Sequence, residues 1–354
     1  MNAGPALALP PAAEARRPLR IAIVTDAWRP QVNGVVRTLT ETMRELALAG
    51  HAIELIAPER FTTFPCPTYP EIRLSLAGAG AVGRMLDAFR PDAVHIATEG
   101  PLGWAARGAA LKRGLPFTTA YHTRFPEYVR ARTKAPLSWS YAVLRRFHSA
   151  ASRVMVPTPT VKADLEAWGF GNVVLWTRGV DLEIFRPGPR DRLKTKPPIF
   201  VYVGRVAVEK NVEAFLALDL PGSKWVVGEG PAMGALKARY PEASYLGVLQ
   251  QRELAEVYAA ADVFVFPSRT DTFGLVLLEA MACGTPVAAY PVTGPLDVLG
   301  DVPAAQSGGA MDEDLRKACL AALEIPRERA RAHALRYSWA ECARQFADHL
   351  RPRD

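Results

Sequence analysis

The stretch Phe264–Val287, FVFPSRTDTFGLVLLEAMACGTPV, decides the fold. A short apolar strand breaks at Pro267 into a polar turn, and an apolar helix follows that carries one acid, Glu279. The turn at Thr272, Phe273 and Gly274 opens the helix, so the amides of Gly274, Leu275 and Val276 point out of its N-terminus without an acceptor inside it. A helix start of this kind binds anions. Seven residues separate Asp271 from Glu279, roughly two helical turns, which sets the two carboxylates at different depths beside the anion site. A diphosphate with hydroxylated groups on both sides has the matching shape. The plain alternative is that Asp271 caps the helix and Glu279 is a paired core carboxylate. Against it, Glu279 stands among Leu275, Val276, Leu277, Leu278, Ala280, Met281 and Ala282, where an unpaired charge is costly and an isolated acid marks a site.

At 354 residues the chain is longer than one ordinary domain, so two domains are expected. No run of uncharged apolar residues approaches the length of a membrane span. Residues 1–18 are rich in Ala and Pro, with Arg16 and Arg17 after the apolar part instead of before it. That is the wrong order for a secretory signal, and a disordered leader is expected. The four cysteines, Cys66, Cys283, Cys319 and Cys342, lack metal-ligand spacing and suit a reduced, cytoplasmic setting. Charge is lopsided: residues 1–185 hold 22 of the 43 Lys and Arg but only 15 of the 36 Asp and Glu, so the first half carries the whole net charge of +7. A basic face suits an anionic partner, a membrane surface or nucleic acid, or is simply solvated.

Arg20–Thr25, RIAIVT, reads as a buried parallel strand. It ends at Asp26 in a long loop whose Asn33-Gly34 lets backbone approach a ligand before a helix over Val35–Ala49. HAIELIAP is a second strand, and Phe61–Pro70 an irregular loop. EIRLSL, roughly the third strand, is followed by Gly78, Gly80 and Gly83 in the spacing of a dinucleotide fingerprint. Neither Asp92 nor Glu99 falls where such a fold holds its ribose, so a glycine-rich connector is expected there. The strand PFTTAYHTRF delivers His122 to the sheet edge beside Arg124, a better site position than a lone core histidine. From Tyr128 to Arg153, Arg130, Arg132, Lys134, Arg145 and Arg146 interleave with Trp139, Tyr141, Leu144 and Phe147. The mixture suits either membrane-surface binding or an ordinary amphipathic helix. After a linker at Asp191–Pro198, PIFVYVGR restarts the pattern. Its strand ends at Gly204-Arg205, and Arg205 and Lys210 flank the turn, a guanidinium and an ammonium placed as a diphosphate clamp. Asp312 and Asp314 sit at a helix start and are taken as capping acids. The closing SWAECARQFADHLR is an amphipathic helix with no strand after it.

These motifs resemble the retaining glycosyltransferases of family 4, over nearly the whole chain from Arg20. The likeness extends to GDP-mannose-dependent mannosyltransferases and bacterial glycosyl-diacylglycerol synthases. The family's acidic pair is Glu, seven residues, Glu; Asp271 takes the first position and Glu279 the second. The resemblance implies an α/β, GT-B fold, two Rossmann-like domains facing across a cleft. They are expected over 19–185 for the acceptor and 186–335 for the nucleotide sugar, with a helix at 336–354 crossing back to the first. It implies that Glu279 holds the ribose, and that Asp271 with the amides of Phe273, Gly274 and Leu275 holds the sugar and distal phosphate. By the same likeness Gly204, Arg205 and Lys210 meet the diphosphate, His122 lies against the transferred sugar, and Asp26, Asn33 and Gly34 face the acceptor. The expected chemistry is metal-independent hexosyl transfer with no cofactor, from a UDP- or GDP-hexose co-substrate, with same-face attack by the acceptor hydroxyl. Partners are expected to be the nucleotide sugar, a lipid or glycan acceptor and an anionic membrane surface, without nucleic acid, at the cytoplasmic face of a membrane. Diacylglycerol is the first acceptor expected, phosphatidylinositol or a glycan the second. The glycine fingerprint keeps a nicotinamide-dependent oxidoreductase open, and a sugar-nucleotide-binding module without turnover is a third possibility.

Overall fold

A computed structural model of the chain describes residues 17–350 apart from 32, 67, 68, 193 and 270, with the side chains of 69–71, 131 and 132 also left undescribed. Most of the leader, the side chain of Arg132 and the whole of Thr270 therefore lie outside the described residues.

In the first half the strands are β1 (Arg20–Val24), β2 (Ala52–Ile56), β3 (Thr63–Cys66), β4 (Tyr69–Ser75), β5 (Ala93–Ile96), β6 (Phe117–Ala120), β7 (Arg153–Val156) and β8 (Val173–Leu175). The helices between them are α1 (Gly34–Leu48), α2 (Ala79–Phe89), α3 (Pro101–Lys112), α4 (Phe125–Thr133), α5 (Leu137–His148) and α6 (Pro159–Ala167). In the second half the strands are β9 (Ile199–Val203), β10 (Ser223–Val227), β11 (Ser244–Gly247), β12 (Val263–Phe266), β13 (Val287–Ala289) and β14 (Gly309–Met311). Its helices are α7 (Val212–Leu216), α8 (Met233–Arg239), α9 (Gln251–Ala260), α10 (Leu275–Ala282), α11 (Pro295–Leu299), α12 (Leu315–Leu323) and α13 (Arg327–Ala334), and α14 (Trp339–His349) closes the chain.

Two six-stranded parallel sheets result, ordered β2-β1-β5-β6-β7-β8 and β11-β10-β9-β12-β13-β14. Their central strands are buried, as in VFVF of β12 and IFVYV of β9 with every residue buried, because helices cover both faces of a parallel sheet. Both halves are Rossmann-like, and the α/β architecture is that of GT-B. One strand departs from expectation. EIRLSL does not join the parallel sheet but pairs with β3 in a separate antiparallel hairpin. Its alternation of polar and apolar residues is the pattern of a sheet with one wet face, unlike the continuous apolar run of β1. The loop expected over Phe61–Pro70 supplies the partner strand, and Gly78–Gly83, expected as a glycine-rich connector, is the N-cap and opening of α2, after this hairpin instead of a parallel strand. The basic and aromatic stretch is likewise two helices, α4 ending at Lys134 with φ 58° and α5 starting after Pro136.

α14 leaves the second half and packs on the first. Its Trp339, Cys342, Ala343 and Phe346 share one apolar core with Ile21, Ile23, Leu39 and Trp176. The Trp176 indole donates to the Cys342 carbonyl at 3.0 Å. In the other direction, Val180 and Phe185 are buried in the core of the second half, so the chain enters that core shortly before the boundary expected after Phe185.

Candidate active site

In each sheet the strand order reverses once, between β1 and β5 and between β9 and β12. Loops diverge at such a switch and leave a crevice beyond the carboxyl ends of the strands, where ligands of open α/β sheets bind. The loops leaving β9 and β12 are those that carry Gly204, Arg205, Lys210 and Asp271.

The structure joins these two loops by an ion pair. Lys210 Nζ donates to Asp271 Oδ2 at 2.7 Å, with the side chains 23% and 15% exposed. Asp271 Oδ1 accepts the amides of Thr272 at 2.8 Å and Phe273 at 3.3 Å. Burial pushes the Asp271 carboxyl up, but the Lys210 ammonium and those two amides override it and hold the carboxyl below its ordinary range. Burial likewise opposes the charge on Lys210, and the Asp271 carboxylate overrides it, keeping the ammonium protonated. The clamp lysine is thus held by the acid expected beside the sugar. An ammonium has three donors, and this pair takes one. Gly204 donates its amide to the Val227 carbonyl at 3.0 Å, and the Arg205 carbonyl accepts the Tyr202 hydroxyl at 2.7 Å, which fixes the backbone at the end of β9.

α10 opens as expected, with one amide fewer than the resemblance assigns. Gly274 stands at its N-cap with φ 81° and ψ 68°, a left-handed conformation that suits glycine. The first bond into the helix is Leu277 N–H to the Gly274 carbonyl at 2.9 Å. The amides of Gly274, Leu275 and Val276 precede it and have no acceptor within the helix. The Phe273 amide is turned to Asp271 instead, and its ring is buried in the core.

Glu279 is buried and paired, and its partner comes from the other half. Its Oε1 meets Arg37 Nη1 of α1 at 2.7 Å, with side-chain exposures of 5% and 17%. Its Oε2 faces the Tyr258 hydroxyl at 3.5 Å, the outer limit of hydrogen bonding. Burial pushes this carboxyl above the usual glutamate range, and Arg37 and Tyr258 restore only part of the shift. Glu279 is thus paired, as the plain alternative expected, and its partner is a cation supplied from the other half.

His122 meets the same loops from the first half through its backbone. Its carbonyl accepts the Thr272 hydroxyl at 2.8 Å, so the turn that opens α10 touches the loop after β6. Arg178 Nη2 approaches His122 Nδ1 at 3.3 Å. A guanidinium only donates, so Nδ1 accepts and the neutral ring carries its proton on Nε2. That nitrogen is buried without a hydrogen-bond partner among the described residues. Burial, with help from the Arg178 charge and His95, holds the imidazole well below its usual range. His122 is therefore a neutral donor with an unused N–H. Arg178 itself is buried against Trp176 and held by the Trp176 and Thr177 carbonyls; burial lowers it to about 10. Arg124 spans the halves too, pairing with Asp164 and donating to the Thr293 hydroxyl at 3.1 Å.

The remaining expected positions are structural in their contacts. Asp26 caps α3: Oδ1 accepts the Leu102 amide at 2.8 Å, and Oδ2 accepts the Gly103 amide at 3.1 Å and the Thr98 hydroxyl at 2.9 Å. A side chain at Gly100 would meet that carboxylate at 2.4 Å, so the cap requires glycine there. Burial raises the Asp26 carboxyl. Asn33 caps α1 through Val35 and Val36, both at 3.0 Å. Gly34 faces the site more directly, since a β-carbon on it would lie 3.6 Å from Leu275; the N-termini of α1 and α10 converge. Asp314 caps α12 as expected, accepting the amides of Arg316 and Lys317, and the Asp312 carboxylate accepts the Asp314 amide. Among the described residues no three His, Cys, Asp or Glu side chains group as a metal site.

Arg37 and Arg178 are not singled out by the sequence, and Thr272 only as part of the turn before α10. Arg37 and Glu279 are 242 residues apart, and nothing local in GVVRTL announces a partner in another domain. Arg178 had a weak signal, a charge next to Trp176 at the end of an apolar strand.

Two parallel-sheet domains, with an open helix start and a lysine brought together at the β9–β12 switch point, have the architecture of GT-B glycosyltransferases. Residues 32–184 match the family described as Glycosyltransferase Family 4, and residues 197–324 match Glycosyl transferases group 1. The chain is 33% identical over 310 residues, 79% of its length and 81% of the relative's, to a GDP-mannose-dependent alpha-mannosyltransferase of Mycobacterium tuberculosis (strain CDC 1551 / Oshkosh). It is 26% identical over 315 residues, 77% of its length and 71% of the relative's, to an alpha-monoglucosyldiacylglycerol synthase of Streptococcus pneumoniae. In fold it resembles sucrose-phosphate synthase from Thermosynechococcus elongatus, with a TM-score of 0.75 and 22% identity over 94% of this chain and 98% of that one. The chain belongs to glycosyltransferase family 4, and it is a hexosyltransferase.

Proposed function

We propose that the protein moves a hexosyl unit, with retention of configuration, from a UDP- or GDP-hexose to a hydroxyl of a membrane lipid, diacylglycerol first among them. The Lys210–Asp271 pair at the mouth of α10 carries this proposal. As the glycosidic bond to the leaving diphosphate stretches, negative charge grows on the phosphate oxygen. Lys210, Arg205 and the amides of Gly274, Leu275 and Val276 stabilise it from fixed positions, without reorganisation and without a resident metal or cofactor. Asp271, ionised and anchored at both oxygens, orients the sugar hydroxyls, and Glu279 receives the ribose. The unused Nε2–H of His122 donates to the transferred sugar from the opposite wall. The acceptor hydroxyl then attacks from the face that the leaving group vacates, and its proton passes to the departing phosphate oxygen.

The lipid is supported by the surface of α4 and α5. Trp139 and Val143, 70% and 56% exposed, and Phe125, 56% exposed, are large apolar side chains turned to solvent. Trp139, Val143 and Arg146 are spaced along one face of α5, and Arg130, Lys134 and Arg145 are exposed around them. Apolar side chains ringed by cations suit an anionic membrane surface at the cytoplasmic face. Among the described residues no helix is long and apolar enough to cross a membrane, so attachment by this face would be peripheral. Purified protein should sediment with anionic vesicles at low salt, and Trp139→Glu together with Val143→Glu should abolish it. Failure of the unaltered protein to sediment would overturn the lipid surface.

A second reading, GDP-mannose-dependent α-mannosyl transfer to phosphatidylinositol or a glycan, is favoured by the 33% identity to the mycobacterial mannosyltransferase. Transfer assays with GDP-mannose, UDP-glucose and UDP-glucuronate, each against diacylglycerol and phosphatidylinositol vesicles, separate the two. Turnover with GDP-mannose on phosphatidylinositol alone would replace the first reading with the second.

A further inference from the structure

We infer that Arg37 is a positioning residue of the donor site: it reaches from α1 of the first half into the core of the second and sets the carboxylate of Glu279 for the nucleotide. The inference rests on the donor site proposed above, in which Glu279 receives the ribose.

Three observations carry it. The Arg37–Glu279 contact is short, 2.7 Å, and nearly dry on the acid's side, with 5% exposure. The Arg37 guanidinium lies over the ring of Phe185, 4.9 Å from its centre, and Phe185 is a fully buried member of the second half's core. The cation therefore sits inside the other domain, unlike the solvated pairs elsewhere on the surface. Finally, Arg37 occupies one oxygen of Glu279 and leaves Oε2 with only the 3.5 Å approach of Tyr258. The carboxylate is thus oriented through Oε1, and Oε2 keeps acceptor capacity that the 3.5 Å approach of Tyr258 does not fill. A buried acid without this cation would take up a proton and lose the acceptor geometry. The charged and titratable groups around it are Arg37 from α1, Tyr258 from α9 and Cys283 at the C-cap of its own helix, with Arg327 and Arg331 of α13 beyond Cys283.

The test is calorimetric titration of GDP and UDP, without acceptor, between pH 5.5 and 8.5. It compares the unaltered protein with Arg37→Gln, Arg37→Lys and Glu279→Gln. Arg37→Gln keeps a hydrogen-bond donor to Glu279 and so guards against a variant that fails to fold; circular dichroism checks each protein. At pH 8 Arg37→Gln should weaken the preferred nucleotide about tenfold, and Arg37→Lys should recover part of that loss. As pH falls, Arg37→Gln should lose affinity at a higher pH than the unaltered protein, because its Glu279 protonates earlier. Glu279→Gln should bind weakly and without this pH dependence. A merely structural role for Arg37 would shift thermal stability without moving the pH profile. Superimposable profiles for Arg37→Gln and the unaltered protein, with Glu279→Gln still defective, would overturn the inference and leave the donor site standing. Unchanged affinity in Glu279→Gln would overturn the donor role of Glu279 and the inference with it.

Discussion

The two halves present the same feature, a strand ending in an acid at a topological switch point, and use it in opposite ways. After β1, Asp26 turns both oxygens inward to the start of α3 and the Thr98 hydroxyl. At the β9–β12 switch, Asp271 meets Lys210 from the neighbouring loop, and the amides that open α10 stay outside the pair. The first acid completes a fold; the second holds a cation at the mouth of a helix. An aspartate after a strand is thus informative only together with what its oxygens already accept. The bound partners also set the electrostatics apart: Asp26 is pushed up by burial, whereas Asp271 is held down by Lys210.

This contrast can be broken by substitution. Lys210→Ala and Arg205→Ala should each lower turnover by about a hundredfold or more, the loss of a charge-assisted contact of a few kcal/mol in the transition state. Steady-state kinetics on folded protein reads this out, and near-normal rates in both would remove the clamp. Asp271→Asn keeps the shape but not the charge, and should cost turnover at least about tenfold. Asp26→Asn should do the reverse. Losing a charged acceptor for buried donors costs about 1.5–3 kcal/mol per bond at most, so its melting temperature should fall while kcat of the folded enzyme stays within about threefold. Equal kinetic defects in the two variants would erase the distinction between the halves.

The smallest effect lies in pH. Asp271, with its carboxyl below the ordinary range, contributes stability that is fully present above that range and is lost only as pH falls through the depressed value. Glu279 has the other sign: its carboxyl is raised, so the folded protein binds that proton more readily than the unfolded chain, and ionising it costs stability as pH rises through the raised value. Nucleotide affinity should therefore decline in acid in two stages, first as Glu279 protonates above the usual carboxylate range and then, below that range, as Asp271 does. Titration of nucleotide against pH would show a single stage if both acids were equivalent.

Much of this arrangement was legible in the amino-acid order because it is local. Fully apolar strands such as IFVYV and VFVF specify a buried parallel sheet, and the turn before Leu275 specifies a helix start. The antiparallel hairpin is written in the alternation of EIRLSL, but counting strands along the chain places it third without saying which sheet it joins. What could not be read is what depends on distance. Neither the capture of Asp26 by α3, 76 residues away at Leu102, nor the insertion of Arg37 beside Glu279 leaves a periodicity or a spacing. Both follow from the way the sheets bring loop ends together, and in each case burial selects the partner.

The central claim is that a diphosphate is held where Lys210 meets the opening turn of α10. Soaking crystals of the protein with GDP or UDP tests it most directly. The account predicts phosphate oxygens within hydrogen-bonding distance of Lys210 Nζ and of the amides of Leu275 and Val276. A nucleotide bound instead at the glycine-rich start of α2 or beside Asp26, with the mouth of α10 left empty, would contradict it.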